Sequence, residues 1–162
     1  MKRLRLSVAE NELKLSMTLP VPLDRAWKEL IQWEKQSNWM LATKVWVTSE
    51  SREGVGTEIA AFTGLAPHRY PMMKFFGVLD LMRVVEWRVG SESARCDVIH
   101  YGKIIKGTGT FLLTRSSDSS VRFDWSEIVV APRALFYLLK PFTLVGVYLS
   151  LSRFARSLSA QR

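Results

Sequence analysis

The chain has 162 residues, 48% of them hydrophobic, with six Trp, eight Phe and a formal net charge of +8. This composition excludes a disordered chain, and the length suits a single domain over 1–162 with a true hydrophobic core. Its one cysteine, Cys96, excludes an internal disulfide and a cysteine-cluster metal site. The first nine residues lack the apolar run of a signal peptide, so we expect a cytoplasmic protein.

The excess positive charge lies at the two ends of the chain. Residues 6–127 hold 15 basic and 15 acidic residues. The remaining basic residues are Lys2, Arg3 and Arg5 at the start, and Arg133, Lys140, Arg153, Arg156 and Arg162 at the end. Because no basic stripe crosses the body, we predict no specific nucleic-acid partner. Peripheral membrane contact through the basic ends stays open.

The predicted elements begin with a strand. Apolar and polar residues alternate over 12–19, which indicates a half-buried strand, and Pro20 and Pro22 end it. Asp24 can cap the helix that follows, and a second short helix is expected over 34–39. Six further strands, separated by turn residues, are predicted over 43–49, 57–63, 79–89, 95–101, 104–115 and 121–130.

The C-terminal stretch carries the strongest pattern. Pro141 suits a first helical position. Apolar residues then recur at spacings of three and four, at Leu144, Val147, Tyr148, Leu151, Phe154, Ala155 and Leu158. We predict an amphipathic helix of about five turns that begins at Pro141 and packs on a broad sheet. The longest uncharged run, 141–152, is shorter than the roughly 18–20 residues of a membrane span. A helix lying on a membrane surface is the alternative.

The stretch 64–77 interrupts the strand pattern. It is too long for a tight hairpin, and it holds Tyr70 and several Met and Phe residues between prolines. An apolar long loop of this kind is either a lid or a satellite core. We expect a lid that closes one end of a cavity, with a satellite core as the alternative.

Short motifs stand within these elements in a characteristic order. They are Ala26-Trp27, Trp39 and the runs 82–87, 100–102, 107–111 and 123–127, followed by the C-terminal helix. In this order the chain resembles the START-like helix-grip superfamily (SRPBCC), within its polyketide cyclase/dehydrase and lipid-transport group. The resemblance covers about residues 11–160.

The resemblance implies an α+β helix-grip fold. A curved seven-stranded antiparallel sheet is expected to wrap around the long C-terminal helix, with two short helices after the first strand. It further implies a cavity between sheet and helix for a hydrophobic small molecule, such as a lipid, quinone or polyketide. We therefore expect a binding or carrier protein that needs no cofactor. The alternatives are a cyclase or dehydratase using Glu127 and His100, and an interaction module using the basic ends on membrane or RNA.

Strand alternation indicates which side chains would face the cavity. The last strand turns Phe123, Trp125 and Glu127 inward, and its neighbours turn Phe111 and His100 inward. In the strand over 79–89 we predict that the face with Arg83 and Trp87 points inward; the face of Met82, Val84 and Glu86 is a close alternative. The candidate ligand-binding residues are Arg83, Trp87, His100, Phe111, Phe123, Trp125, Glu127, Tyr148 and Tyr70.

Glu127 is the one carboxylate on the inward face of the last strand, and its role has to be explained. An inward carboxylate among aromatic residues requires a partner, because its unpaired burial costs several kcal/mol. Either Glu127 and His100 orient a ligand or act as an acid–base pair, or they form a structural pair. Two inward positions nearby, Gly107 and Gly109, leave room for a ligand or serve a bulge. Only two histidines are present, so we expect no zinc site.

Overall fold

The computed structural model describes the backbone of residues 8–160 and the side chains of residues 11–160. Within that range it shows a curved seven-stranded antiparallel sheet and a long C-terminal helix. The elements are β1 (Val8–Leu19), α1 (Leu23–Leu30), a 3₁₀ turn (Trp33–Lys35), α2 (Gln36–Trp39), β2 (Thr43–Val47), β3 (Glu58–Gly64), two 3₁₀ turns (Pro67–Arg69 and Lys74–Phe76), β4 (Gly77–Val89), β5 (Ser93–Tyr101), β6 (Lys106–Ser117), β7 (Ser120–Pro132) and α3 (Arg133–Ala160).

All seven predicted strands are present, and their order in the sheet is β1-β7-β6-β5-β4-β3-β2. β1 begins earlier than predicted because it pairs with β7 along its whole length, from Val8 opposite Pro132 to Leu19 opposite Val121. The meander makes every neighbouring pair antiparallel. As a result, the turns β2–β3, β4–β5 and β6–β7 lie at one end of the sheet. The connections β3–β4 and β5–β6 lie at the other end.

The two short helices after β1 are confirmed, but the predicted cap is wrong. Pro22 occupies the N-cap position of α1, and no side chain caps that helix. Asp24 lies in the first turn, where a negative charge favours the helix dipole. Trp27 of α1 is buried and meets the Trp87 ring edge-on, with ring centroids 4.9 Å apart. α1 thus closes the end of the sheet that carries the β-turns.

The C-terminal helix is longer than predicted. α3 continues directly from β7 and begins at Arg133, so Pro141 lies inside the helix. Proline has no N–H, so the Tyr137 carbonyl loses its helical hydrogen bond at that point. The predicted buried stripe is correct in the C-terminal half of α3, but Tyr148 is wrong, since 56% of it is exposed.

The earlier start of α3 also changes its hydropathy. Over 28 residues the helix is long and apolar enough to cross a membrane, judged by length and composition alone. Only 17% of its most apolar stretch is buried within the protein. The sequence argument from a 12-residue uncharged run therefore understated how apolar this helix is.

Candidate functional site

A cavity of about 720 Å³ lies between the concave face of the sheet and α3. Its volume falls within the roughly 300–1,000 Å³ that is usual for small-molecule sites. The walls are mostly apolar and draw on all seven strands and α3, including Val45, Ala61, Met82, Phe111, Val129 and Leu151. A second depression of about 390 Å³ between α2 and α3 has a charged rim and does not reach the polar groups described below.

The cavity opens at the end of the sheet that carries the β3–β4 and β5–β6 connections. Five large apolar side chains that line it are exposed to solvent, and all five lie at this end. They are Leu41 before β2, Ile104 between β5 and β6, and Leu135, Leu139 and Phe142 on α3. We call this opening the mouth.

One polar cluster interrupts the apolar wall. The His100 Nδ1 atom lies 2.8 and 3.0 Å from the two carboxylate oxygens of Asp80, so Nδ1–H donates to Asp80. On the other side of the ring, Nε2 lies 3.3 Å from Glu127 Oε1. The His100 side chain is 4% exposed, against 13% for Asp80 and 18% for Glu127. The three groups form a chain in which the imidazole joins two carboxyl groups.

Strand register assembles this cluster. His100 of β5 pairs with Met82 of β4 and Gly107 of β6, and Gly109 pairs with Glu127 of β7. Inward positions on β4, β5 and β7 therefore hold the three polar groups, and Gly109 fills the position between them on β6. Their burial beside one another follows from backbone pairing between residues that are far apart in sequence.

Asp80 is the functional candidate that sequence reasoning missed. It lies two residues before Met82 on the inward face of β4, which is the alternative face considered above. The prediction that Arg83 points inward is wrong, because Arg83 lies outside and pairs with Glu58 at 2.6 Å. A register shift between Val84 and Glu86 explains the error. The shift returns Trp87 to the inner side, so strict alternation fails across this bulge.

Burial and charge set the protonation of the cluster. Desolvation lowers the pKa of His100, but the hydrogen bond to Asp80 and the charges of Asp80 and Glu127 outweigh it and raise the pKa above its ordinary value. Desolvation raises the pKa of Glu127, the charge of His100 opposes this, and Asp80 adds to it. Nδ1 is committed to Asp80, so His100 Nε2 and the Glu127 carboxyl can share one proton. No aligned hydrogen-bond partner for Nε2 is present within residues 8–160.

The two glycines beside the cluster have different roles. A Cβ atom on Gly107 would lie 1.7 Å from the Ile128 carbonyl oxygen, and Gly107 has φ +141°, so only glycine fits there. A Cβ atom on Gly109 would lie 3.2 Å from His100 Nε2. Gly107 therefore serves the close strand approach, and Gly109 makes room for the imidazole.

The cluster also has the residue types of a metal site, since one ligand atom from each of the three residues lies within 4.8 Å of the others. Asp80, however, is bound to Nδ1 while Glu127 faces Nε2. The carboxylates thus approach two different ring nitrogens, whereas a metal would require both to converge on one. The geometry is better suited to holding and passing a proton.

The cavity brings together four of the nine predicted site residues: His100, Phe111, Trp125 and Glu127. Phe123 is fully buried and stacks on Phe111, and Trp87 packs against α1, so both belong to the core around the cavity. Arg83 and Tyr148 face away from it.

Tyr70 and the segment 64–77 lie against the outer face of the sheet. The Tyr70 ring packs on Phe62 and Trp46, with centroids 5.0 and 5.1 Å apart. Phe62 and Trp46 alternate with cavity-lining residues of β3 and β2, so they point to the opposite side. No residue of 64–77 lines the cavity. The segment is not a lid in this structure. The alternative, a satellite core in which Phe75 and Phe76 extend the core, is wrong as well, because these two side chains are 85% and 62% exposed and only Tyr70 packs on the sheet.

Comparison with known proteins adds the fold relationship. Neither a family model nor a curated protein matches the sequence. A START superfamily protein from Mycobacterium smegmatis superposes with a TM-score of 0.70 at 10% identity, covering 93% of this chain and 99% of that one. The Zhui aromatase/cyclase from Streptomyces sp. R1128 gives 0.66 at 9% identity, covering 93% and 94%. A norcoclaurine synthase mutant from Thalictrum flavum, in complex with a transition-state analogue, gives 0.59 at 12% identity, covering 94% and 98%.

The sheet, the enclosed helix and these superpositions together define the class: the chain has the helix-grip fold of START-like (SRPBCC) proteins. At such low identities the likeness establishes the fold alone. What the chain binds has to be argued from its own cavity.

Proposed function

We propose that the chain is a binding or carrier protein for a hydrophobic small molecule that has one hydrogen-bonding polar group, such as a lipid, a quinone or a polyketide. The observation that supports this most directly is the cavity of about 720 Å³, whose apolar wall is interrupted by the cluster of Asp80, His100 and Glu127. An apolar pocket with a few convergent polar groups is the usual form of a small-molecule site.

The cluster supports a ligand with a polar group because its own hydrogen bonding is incomplete. His100 Nε2 and Glu127 face each other at 3.3 Å without an aligned hydrogen bond. Burying such groups unsatisfied costs free energy, and a ligand hydroxyl or carbonyl placed between them would recover it. The same groups would fix the ligand's orientation, while the apolar walls would supply most of the affinity.

An acid–base reaction is the second candidate function. Asp80 holds the His100 ring in one tautomer, and His100 and Glu127 can exchange a proton. This pairing of an oriented imidazole with a second titratable group is what general acid–base catalysis requires. It supports a cyclase- or dehydratase-type reaction. The third hypothesis was contact through the basic ends, of which Lys2, Arg3 and Arg5 lie outside the described residues.

A cavity-filling variant tests ligand binding. Gly146 lies on α3 facing the cavity, and a Cβ atom added there meets nothing within 4 Å. We expect Gly146→Phe to weaken binding of the neutral dye N-phenyl-1-naphthylamine at least about tenfold, because the ring occupies the site. The matched control is Val145→Phe, which adds the same ring at a position 58% exposed. Equal dye binding by Gly146→Phe and the wild type would exclude the cavity as the site.

Native mass spectrometry distinguishes carrier from enzyme. Wild-type protein and Glu127→Gln are purified from the natural host, and the masses of co-purifying molecules are compared. One common mass indicates a carrier. A Glu127→Gln ligand heavier by one water than the wild-type ligand would indicate dehydration at the cluster. No co-purifying molecule in either protein, together with no dye binding, would contradict both functions.

A further inference from the structure

The surface around the mouth is strongly apolar. We define the mouth surface as residues 64–77, residues 102–106 and the part of α3 from Arg133 to Leu149. Large apolar side chains protrude from all three parts, led by Phe75 at 85% exposure, Met72 at 77% and Phe142 at 74%, with Ile104 at 68%. Single exposed apolar residues are ordinary, whereas many of them gathered at one end of the sheet mark a contact surface.

The same three segments carry only positive charge. They contain six Lys or Arg residues and no Asp or Glu: Arg69, Lys74, Lys103, Lys106, Arg133 and Lys140. The Lys74 ammonium lies 5.2 Å from the centre of the Phe75 ring, and the Lys140 ammonium 6.0 Å from that of the exposed Tyr137. Cations are therefore set directly beside the protruding apolar groups. Aromatic and aliphatic side chains flanked by Lys and Arg are the composition that binds membrane interfaces.

We infer that the mouth surface docks on an anionic lipid bilayer. The apolar side chains would enter the boundary between headgroups and acyl chains, and the six cations would lie among the lipid phosphates. A second copy of the chain fits less well, because a two-fold contact through this surface would bring identical positive rims together. Duplex nucleic acid fits less well too, because its bases are stacked inside and its phosphate backbone offers no apolar surface to cover Phe75, Met72 and Phe142.

The opposite end of the sheet supports one docking orientation. Its turns over 48–57, 90–92 and 116–119 carry four acids and one base: Glu50, Glu53, Glu92 and Asp118 against Arg52. An anionic surface repels that end and attracts the mouth surface. In the docked orientation the cavity opens onto the bilayer. An apolar ligand could then pass between cavity and membrane without crossing water. This consequence rests on the proposed function, but the inference that the surface docks does not.

Vesicle co-sedimentation tests the inference, with no ligand added. The wild type should bind vesicles of equal parts phosphatidylcholine and phosphatidylglycerol, and should remain in the supernatant with phosphatidylcholine alone. Phe75→Ser combined with Phe142→Ser should weaken binding at least about tenfold through lost apolar contact. Lys74→Gln combined with Lys103→Gln should weaken it about 25-fold, or about fivefold per charge, and binding should fall as salt rises.

The matched control lies at the opposite end. Val55→Ser combined with Val89→Ser removes two apolar side chains that are also mostly exposed, 64% and 61%, and should leave vesicle binding unchanged. The assay contains no ligand, so it measures docking separately from ligand binding. Two results would overturn the inference: no wild-type binding to the anionic vesicles, or equal loss in the control. A wild-type dimer that Phe75→Ser/Phe142→Ser converts to monomers, without vesicle binding, would instead assign the surface to a second copy.

Discussion

The N-terminal part of α3, residues 133–149, and its C-terminal part, residues 150–160, have opposite surroundings; we call them the two halves of the helix. In the C-terminal half, Leu151, Phe154 and Leu158 are 3%, 1% and 1% exposed. In the N-terminal half eight large apolar side chains are exposed: Leu135, Tyr137, Leu138, Leu139, Phe142, Val145, Tyr148 and Leu149. The difference shows that burial depends on what the sheet offers opposite each turn of the helix. Opposite the C-terminal half lies a filled core closed by α1, and opposite the N-terminal half lies the mouth.

The contrast extends to polar groups. Arg25 of α1 donates a hydrogen bond to the Leu158 carbonyl oxygen at 3.0 Å, which ties the C-terminal half of α3 to the closed end. At the middle of the helix, Ser150 Oγ accepts a hydrogen bond from the Leu41 N–H at 2.8 Å and donates one to the Gly146 carbonyl. The closed end is thus fixed by packing and hydrogen bonds. The N-terminal half has the cavity on one side and solvent on the other.

The largest expected effect compares one residue type in the two halves. Phe154→Ala should lower the free energy of unfolding by about 3–5 kcal/mol, because it leaves a cavity beside Trp39, whose ring centroid lies 4.8 Å away. Phe142→Ala should change it by less than about 0.5 kcal/mol, because that side chain is 74% exposed. Urea unfolding followed by circular dichroism measures both. Similar losses would mean that the N-terminal half is packed in solution.

A smaller effect is expected where the halves meet. Ser150→Ala removes the acceptor for the Leu41 N–H, and we expect a loss of about 1–3 kcal/mol because that donor is left without its partner. Ser159→Ala is the control, since Ser159 also bonds a carbonyl of its own helix, that of Ala155, but is exposed. Thermal unfolding of the two variants measures the difference. Equal melting temperatures would show that the Leu41 contact does not hold the helix at this point.

The smallest expected effect is a pH dependence of the free energy of unfolding, which arises from the polar cluster in the cavity. The raised pKa of His100 means that the folded state binds its proton more tightly than the unfolded chain does. Its stabilising contribution is therefore complete below the unfolded value of about 6.5 and is lost as pH rises through the folded pKa. The raised pKa of Glu127 acts in the same direction at lower pH, above about 4.5.

We therefore expect the free energy of unfolding of the wild type to fall as pH rises above about 6.5, and His100→Gln to show a smaller slope. Urea unfolding at a series of pH values measures both slopes, and His68→Gln, an exposed position, is the control substitution. A His100→Gln slope equal to that of the wild type would show that His100 gains no net stabilisation from Asp80 and Glu127.

Sequence alone was sufficient for most of the fold. Alternation predicted the first strand, because a sheet with one face on the core enforces a period of two, and turn residues marked the limits of the other six. The same rule placed His100, Phe111, Trp125 and Glu127 inward, since the strands that carry them alternate regularly along those stretches. Spacings of three and four identified the part of α3 that packs, including Leu151 and Phe154.

Other features could not be predicted from the local sequence pattern, because they depend on contacts between distant parts of the chain. The bulge near Val84 and Glu86 reversed the face of β4, so Asp80 joined the cluster and Arg83 left it. A bulge is set by pairing with the neighbouring strand, and its own sequence does not mark it. Likewise, the apolar character of a residue predicts that it is buried but not which surface covers it. For that reason only the structure decided that Tyr70 covers the outside of the sheet, while Phe142 stays uncovered at the mouth.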